Sequence, residues 1–390
     1  MNKLDKFLKV LTRIMTYILV AALASAVTFF VCLGEIPAGQ TKLEQLENLI
    51  MTCFIGDADK TAMEDAAANA MVNALGDRWS YYIPASEYEA HMEQMNNAYV
   101  GIGVTVTVLQ DGTGMRVTQV EPGGPALEAG VLPEDVIVEV EGKLLSDIGA
   151  DAAKQMNRGE EGTQVTVGVL RGEEKLTLTI TRKTIRTAVA TGQMLEGNIG
   201  FVTIANFDSR CADETIARIE ELIAQGATSL IFDVRNNPGG FKNELVDILD
   251  YLLPEGDLFR SESYTGKQTV DTSDEKCLKM PMAVIVNGQS YSAAEFFAAA
   301  LEEYDWATVV GEQTSGKGYF QNTFQLSDGS AVGLSVGKYY TPNGVSLAEV
   351  GGLTPGVTVT VDKETAALIY AGLLDPEEDP QVQAAVEALK

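Results

Sequence analysis

Twice in its second half the chain runs through the same succession: an apolar stretch of strand length, a turn of small and polar residues, and a helix-like segment. The first is SLIFDVRNNPGGFKNELVDILDYLLP, residues 229 to 254; the second is MAVIVNG, 282 to 288, followed by AAEFFAAALEEY, 293 to 304. Short apolar runs closed by turn residues read as buried strands, and the segments after them as amphipathic helices, so the core is of a strand-helix, α/β kind. Each turn has a chemical and a plain reading. Ser292 opens the second helix, where free N–H groups and the positive end of the helix dipole favour a developing negative charge. Ser292-Ala-Ala-Glu295 equally fits a capping box, and these residues taken alone favour the cap. In Asn236-Asn237-Pro238-Gly239-Gly240 the glycines let the backbone approach a ligand and aim N–H groups at an oxyanion, or they simply turn the chain.

A nucleophilic serine needs a base, and the 390 residues contain one histidine, His91, in a charged helix-like segment where a solvated surface position is expected. An amine is the next candidate. It must be neutral to act, so a lysine pKa of ~10.4 has to fall to about 7 or 8, a cost of ~4 kcal/mol that burial can supply. Lys317 lies in Gly311-Glu-Gln-Thr-Ser-Gly316-Lys317-Gly318, which nearly spells a phosphate-binding loop. Gly318 stands where the magnesium-holding hydroxyl belongs, and YFQNTFQL after it reads as a strand instead of the required helix, so a nucleotide site is not expected.

FDVRNNPGG, IVNGQSYSAAE and GKGYFQ, in that order, resemble the carboxy-terminal processing peptidases, also called tail-specific proteases. The resemblance implies Ser292 as nucleophile, Lys317 as general base and Gln321 as the residue that orients the lysine. It further implies the backbone N–H groups of Gly239 and Ala293 as the oxyanion hole, with Gly240 adjacent to the first. The family run S-A-S-A-S-E is here S-Y-S-A-A-E, with Tyr291 and Ala294 at the departing positions, which leaves the reacting groups in place and alters the shape of the pocket. LTPGVTV, 353 to 359, lacks the acidic residue usual after the proline and reads as structural.

Residues 97 to 184 carry short strands (GVTVTVL, MRVTQV, DVIVEVEG, QVTVGVLR, LTLTITRK) and helical stretches at PALEAG and GADAAKQMN. With the Gly101-Ile102-Gly103-Val104 entry and EPGGPALEAGVLPEDVIVEVEG, this segment resembles a PDZ domain. Such domains add a peptide as a strand at a sheet edge while backbone N–H groups capture its terminal carboxylate. Gly101 to Val104 would be that cradle; alone, the motif is a tight turn into a strand. The joining segments MEQMNNAYVG and KTIRTAVATG are candidate hinges through which the domain would gate the site.

The N-terminus differs in kind. Lys3, Lys6, Lys9 and Arg13 precede about 20 uncharged residues, Ile14 to Leu33, the length of a bilayer span, and the positive flank predicts a cytoplasmic N-terminus with the body outside. Ala22 to Ala26 offers a signal-peptide cleavage site, but the apolar run continues beyond it, which favours a retained single-pass anchor in the cell membrane. The expected order is therefore a tail and anchor (1–40), a helical region (41–96), a PDZ domain (97–184), a mixed α+β peptidase domain (185–361) and a C-terminal helical region (362–390).

A net charge of -27 disfavours nucleic acid or anionic lipid headgroups and weakly favours basic or neutral substrates. Of four cysteines, Cys32 falls in the apolar run, and Cys53, Cys211 and Cys277 have no metal-ligand spacing, so neither a metal nor a cofactor is expected. The implied partners are proteins or peptides with free C-termini and the membrane, and the resembling enzymes add a homodimer through the helical region. The competing reading is a catalytically silent PDZ scaffold that holds protein tails at the membrane.

Overall fold

Both faces of the largest strand-helix layer are covered, which explains why its strands are apolar at successive positions instead of alternate ones. The computed structural model describes residues 3–32 and 40–390; Leu33, the expected end of the apolar run, lies outside them. The chain divides into a unit of residues 1–84 and a unit of residues 85–390.

In the first unit, helix Lys3–Cys32 contains a stretch, Phe7–Ser25, with a mean hydropathy of 1.8 and no buried side chain among its described residues. Its length and composition suffice to cross a membrane, and a signal sequence has the same character. Helices Lys42–Cys53 and Lys60–Asn73 follow. Thr41 and Glu44 close a reciprocal capping box on the former, and Asp59 caps the latter. The third helix expected in this region, Ala85–Met95, belongs to the second unit and carries His91, which is half-buried instead of fully solvated, with its pKa lowered by burial.

The second unit begins its PDZ-like part with an antiparallel sheet in the order Val104–Val108, Met115–Val120, Val136–Val140, Gln164–Arg171, Glu174–Thr181. Alternate residues of these strands, among them Met115, Val117, Ile137, Val165, Val167 and Val169, fill one core with Ala126 and Ala153 from the helices Pro125–Glu128 and Ala150–Asn157. Both joining segments are strand-forming: Ala98–Gly101 pairs antiparallel with Lys183–Arg186, so the entry and exit of this part are tied to each other.

The second core is a sheet ordered Ala190–Leu195, Ile199–Ile204, Ser229–Asp233, Met282–Val286, Ala307–Gly311, Val357–Thr358. The first pair is antiparallel and the rest are parallel. Leu230 and Phe232 point into a core shared with helices Cys211–Ala224, Lys242–Leu252 and Ala293–Glu303, while Ile231, Ala283 and Ile285 meet Val382 and Ala385 of helix Pro380–Ala388 on the other face. Helix Ala293–Glu303 departs from the amphipathic expectation: Ala293 to Leu301 are all buried, and its alanines let it lie close among its neighbours. The segment after Gly318 is the strand Tyr319–Gln325, not a helix, which removes the structural context of a phosphate-binding loop. Val357–Thr358, within LTPGVTV, serves as an edge strand beside Ala307–Gly311.

Candidate active site

Parallel strands carry their loops to one end of a sheet, and the turns after Ser229–Asp233 and Met282–Val286 meet there, laced by side chains. The Asn236 N–H donates to Asn287 Oδ1 and the Asn287 Nδ2 to Asn236 Oδ1, both at 3.0 Å. Ser290 Oγ donates to the Val234 carbonyl at 2.7 Å, and Tyr291 N to the Asn237 carbonyl at 3.2 Å. Gly239 fits only as glycine: with φ at 87°, an added Cβ would stand 2.7 Å from Ser292 Cβ and 2.9 Å from Ala293 N. This places the Gly-Gly turn against the residues expected to react.

Ser292 itself has φ 58° and ψ -128°, a conformation that costs a non-glycine residue about 1–3 kcal/mol and persists only where its surroundings impose it. The imposing group is Glu295. Its side chain is fully buried and accepts four hydrogen bonds. Oε2 takes the N–H of Ser292 at 2.9 Å and of Lys317 at 2.8 Å; Oε1 takes the N–H of Gly316 at 2.7 Å and the hydroxyl of Thr314. One carboxylate oxygen thus joins the expected nucleophile's backbone to that of the expected base. Burial pushes the Glu295 carboxyl above the usual range, and the four donors pull against it. The sequence offered Glu295 only as a helix cap; the further signal was a carboxylate among the otherwise apolar residues Ala293 to Leu301.

Lys317 Nζ lies 5.9 Å from the centre of the Tyr291 ring, so the departure at Tyr291 puts an aromatic face beside the amine. Gln321 lies on the strand after Gly318, where its Nε2 donates to the Tyr319 carbonyl at 3.2 Å and Ser335 Oγ at 3.0 Å; none of its hydrogen bonds goes to Lys317. The Gly239 N–H is occupied, donating to Asn237 Oδ1 at 2.8 Å. Among the described residues, no hydrogen-bond acceptor meets the N–H of Ala293 or of Gly240. In the PDZ-like part, Gly101 to Val104 line a cavity of about 280 Å³, and no acceptor among the described residues meets the Ile102 or Gly103 N–H.

Asp208, which sequence reading passed over, abuts the same turn: a Cβ on Gly240 would lie 2.6 Å from Asp208 N. The residue is 6% exposed, and its Oδ1 has no hydrogen-bond partner among the described residues. Burial, reinforced by Glu244, pushes its carboxyl up to about 7. The folded chain therefore holds a proton that the unfolded chain has released, so Asp208 costs stability as pH rises from the unfolded value toward 7. Asp208→Asn is expected to raise stability most at pH 8, by at most ~4 kcal/mol, with the gain fading below about pH 4. Urea unfolding of both chains across pH checks this; a gain of constant size at every pH would contradict it.

Comparison with known proteins follows the same division. The PDZ domain family matches residues 100–181 and Peptidase family S41 matches residues 198–359. The carboxy-terminal processing protease CtpA of Bacillus subtilis is 31% identical over 347 residues, covering 86% of this chain and 74% of that one. The chain belongs to peptidase family S41. It is a serine-type peptidase of the carboxy-terminal processing group with a PDZ domain. A CtpA-like serine protease of Staphylococcus aureus is 30% identical over 330 residues, and there the S41 chain spans 66% of the relative's length, less than two thirds. A solved Bacteroides fragilis protein described as an S41 protease shares the fold, with 16% identity and a TM-score of 0.52 over 85% of this chain and 91% of that one.

Proposed function

We propose that the chain is a membrane-anchored endopeptidase that cuts the C-terminal regions of proteins outside the cytoplasm with a Ser292/Lys317 dyad. The observation that carries this reading is the Glu295 oxygen that holds the backbone N–H of both residues. Ser292 Oγ attacks the scissile carbonyl as the neutral Lys317 amine takes its proton; the amine then returns the proton to the leaving nitrogen, and water deacylates the serine. The Ala293 N–H supplies one oxyanion donor. The second comes from the Gly239–Gly240 turn, where the Gly240 N–H has no acceptor among the described residues and the Gly239 N–H must leave Asn237 Oδ1 to serve. Gln321 acts on the lysine indirectly, through the strand it shares with Tyr319. The cradle at Gly101 to Val104 takes the substrate's terminal carboxylate, and the apolar N-terminal helix holds the enzyme at the membrane with its body outside.

The test is a mass-spectrometric time course on an unstructured reporter with an apolar free C-terminus, using the full chain and its Ser292→Ala form in detergent. Cleavage by the native chain alone is expected. A reporter bound by both forms and left intact would favour the tail-holding scaffold. The pH profile is a further check, because a rate still climbing through pH 10 would mean that Lys317 is not the base.

A further inference from the structure

The strand Val104–Val108 ends its sheet, pairing on one side with Met115–Val120 and with nothing on the other among the described residues. Facing that open edge is helix Ala150–Asn157, and between them lies the cavity lined by Ile102, Val104, Val106 and Met115 together with Lys154 and Arg158. In a chain with 55 acidic and 28 basic residues, the charged side chains lining this groove are both cations. Their circumstances differ. Arg158 is committed to Glu93 at 2.6 Å. Lys154 meets Asp151 at 3.4 Å with 47% and 99% of the two side chains exposed, a pairing worth little and readily exchanged.

The helix also fixes where Lys154 would read a peptide. Its C-terminal end adjoins the cradle, since a Cβ on Gly101 would lie 3.7 Å from the Asn157 carbonyl oxygen. A tail whose carboxylate sits in the cradle runs back along Val104–Val108, and its last and third-from-last side chains point the same way, about 7 Å apart. Lys154 lies three residues before the end of the helix, about 4.5 Å along the axis, and its flexible four-carbon stem lets the ammonium reach the third-from-last residue. We propose that Lys154 is a specificity-determining residue that selects tails with an apolar last residue and an aspartate or glutamate two positions before it. This rests on the PDZ groove reading the substrate's C-terminus, and it locally reverses the expectation, drawn from net charge, of basic or neutral substrates.

The test uses the full chain carrying Ser292→Ala, so that nothing is cut, and fluorescence anisotropy with decapeptides ending in valine that differ only at the third-from-last position. Glutamate is expected to bind about three- to fivefold more tightly than glutamine, and lysine more weakly by a similar factor, with the spread narrowing as salt rises. Lys154→Ala should level the three and Lys154→Glu should reverse their order, at unchanged thermal midpoints. Equal binding of the three peptides to the Lys154 chain overturns the proposal, as does an order that survives Lys154→Glu. A C-terminally amidated glutamate peptide that binds as well as the free acid would overturn the groove reading beneath it. Cleavage of the same peptides by the Ser292 chain reports separately on the peptidase.

Discussion

Replacing Lys317 with methionine is expected to lower kcat on an unstructured reporter by about four orders of magnitude, the usual scale for removing one member of a catalytic unit. Methionine keeps most of the stem and the backbone N–H that Glu295 accepts, so the change isolates the amine. Arginine should not rescue it, because a guanidinium does not give up its proton at any usable pH. Ser292→Ala should lose as much, and the double variant little more than either, since in the proposed dyad the two act as one unit. Steady-state kinetics with a urea-unfolding control decides the matter. A methionine variant that retained about a tenth of the native kcat would remove Lys317 from the chemistry.

Glu295→Gln carries the second large effect, and it separates a cap from a clamp. Glutamine serves a capping box nearly as well as glutamate, so a simple cap would lose less than about 1 kcal/mol and no activity. Here each carboxylate oxygen accepts two donors. An amide nitrogen at either place sets a donor against two donors, and two buried groups lose their acceptor at about 1–3 kcal/mol each. A loss of about 2–6 kcal/mol in urea unfolding is therefore expected. A kcat reduced at least tenfold should accompany it, because the strained Ser292 and the Lys317 loop lose their common anchor. Unchanged stability and kcat would return Glu295 to the role of a cap.

The PDZ strands were readable because each is short, rich in valine and threonine, and closed by turn residues; the segments expected from 103 to 183 lie within a residue or two of the strands observed. The two strand-helix units were equally legible, from apolar runs ended by glycine-rich turns. What the sequence hid was which polar group answers which. Glu295 satisfies a local pattern, so its bonds to residues 19 to 22 positions away were invisible. The Asn237 bond to the Gly239 N–H and the buried Asp208 depend on loop geometry that no periodicity encodes. The alanine-rich helix was misjudged for a related reason. Amphipathicity is read from two glutamates and a tyrosine at its end, whereas its first nine residues are enclosed from every side.

The turn that brings Gly239 to Ser292 begins at Arg235, and that side chain has a distant counterpart. Its guanidinium, 5% exposed, donates to Asp233 Oδ2 at 2.6 Å and to Asp379 Oδ2 at 2.7 Å, and Gln381 Oε1 completes the set at 2.9 Å. Asp379 is 144 positions further along the chain and caps helix Pro380–Ala388. Synthesis proceeds at about 5–20 residues per second, so Arg235 waits roughly 7–30 s after translation for the carboxylate that completes its pairing. Through that interval the guanidinium has one carboxylate instead of two, and the turn beside Ser292 lacks its final support. The last carboxylate on this turn is thus made only after every strand of the sheet that carries it.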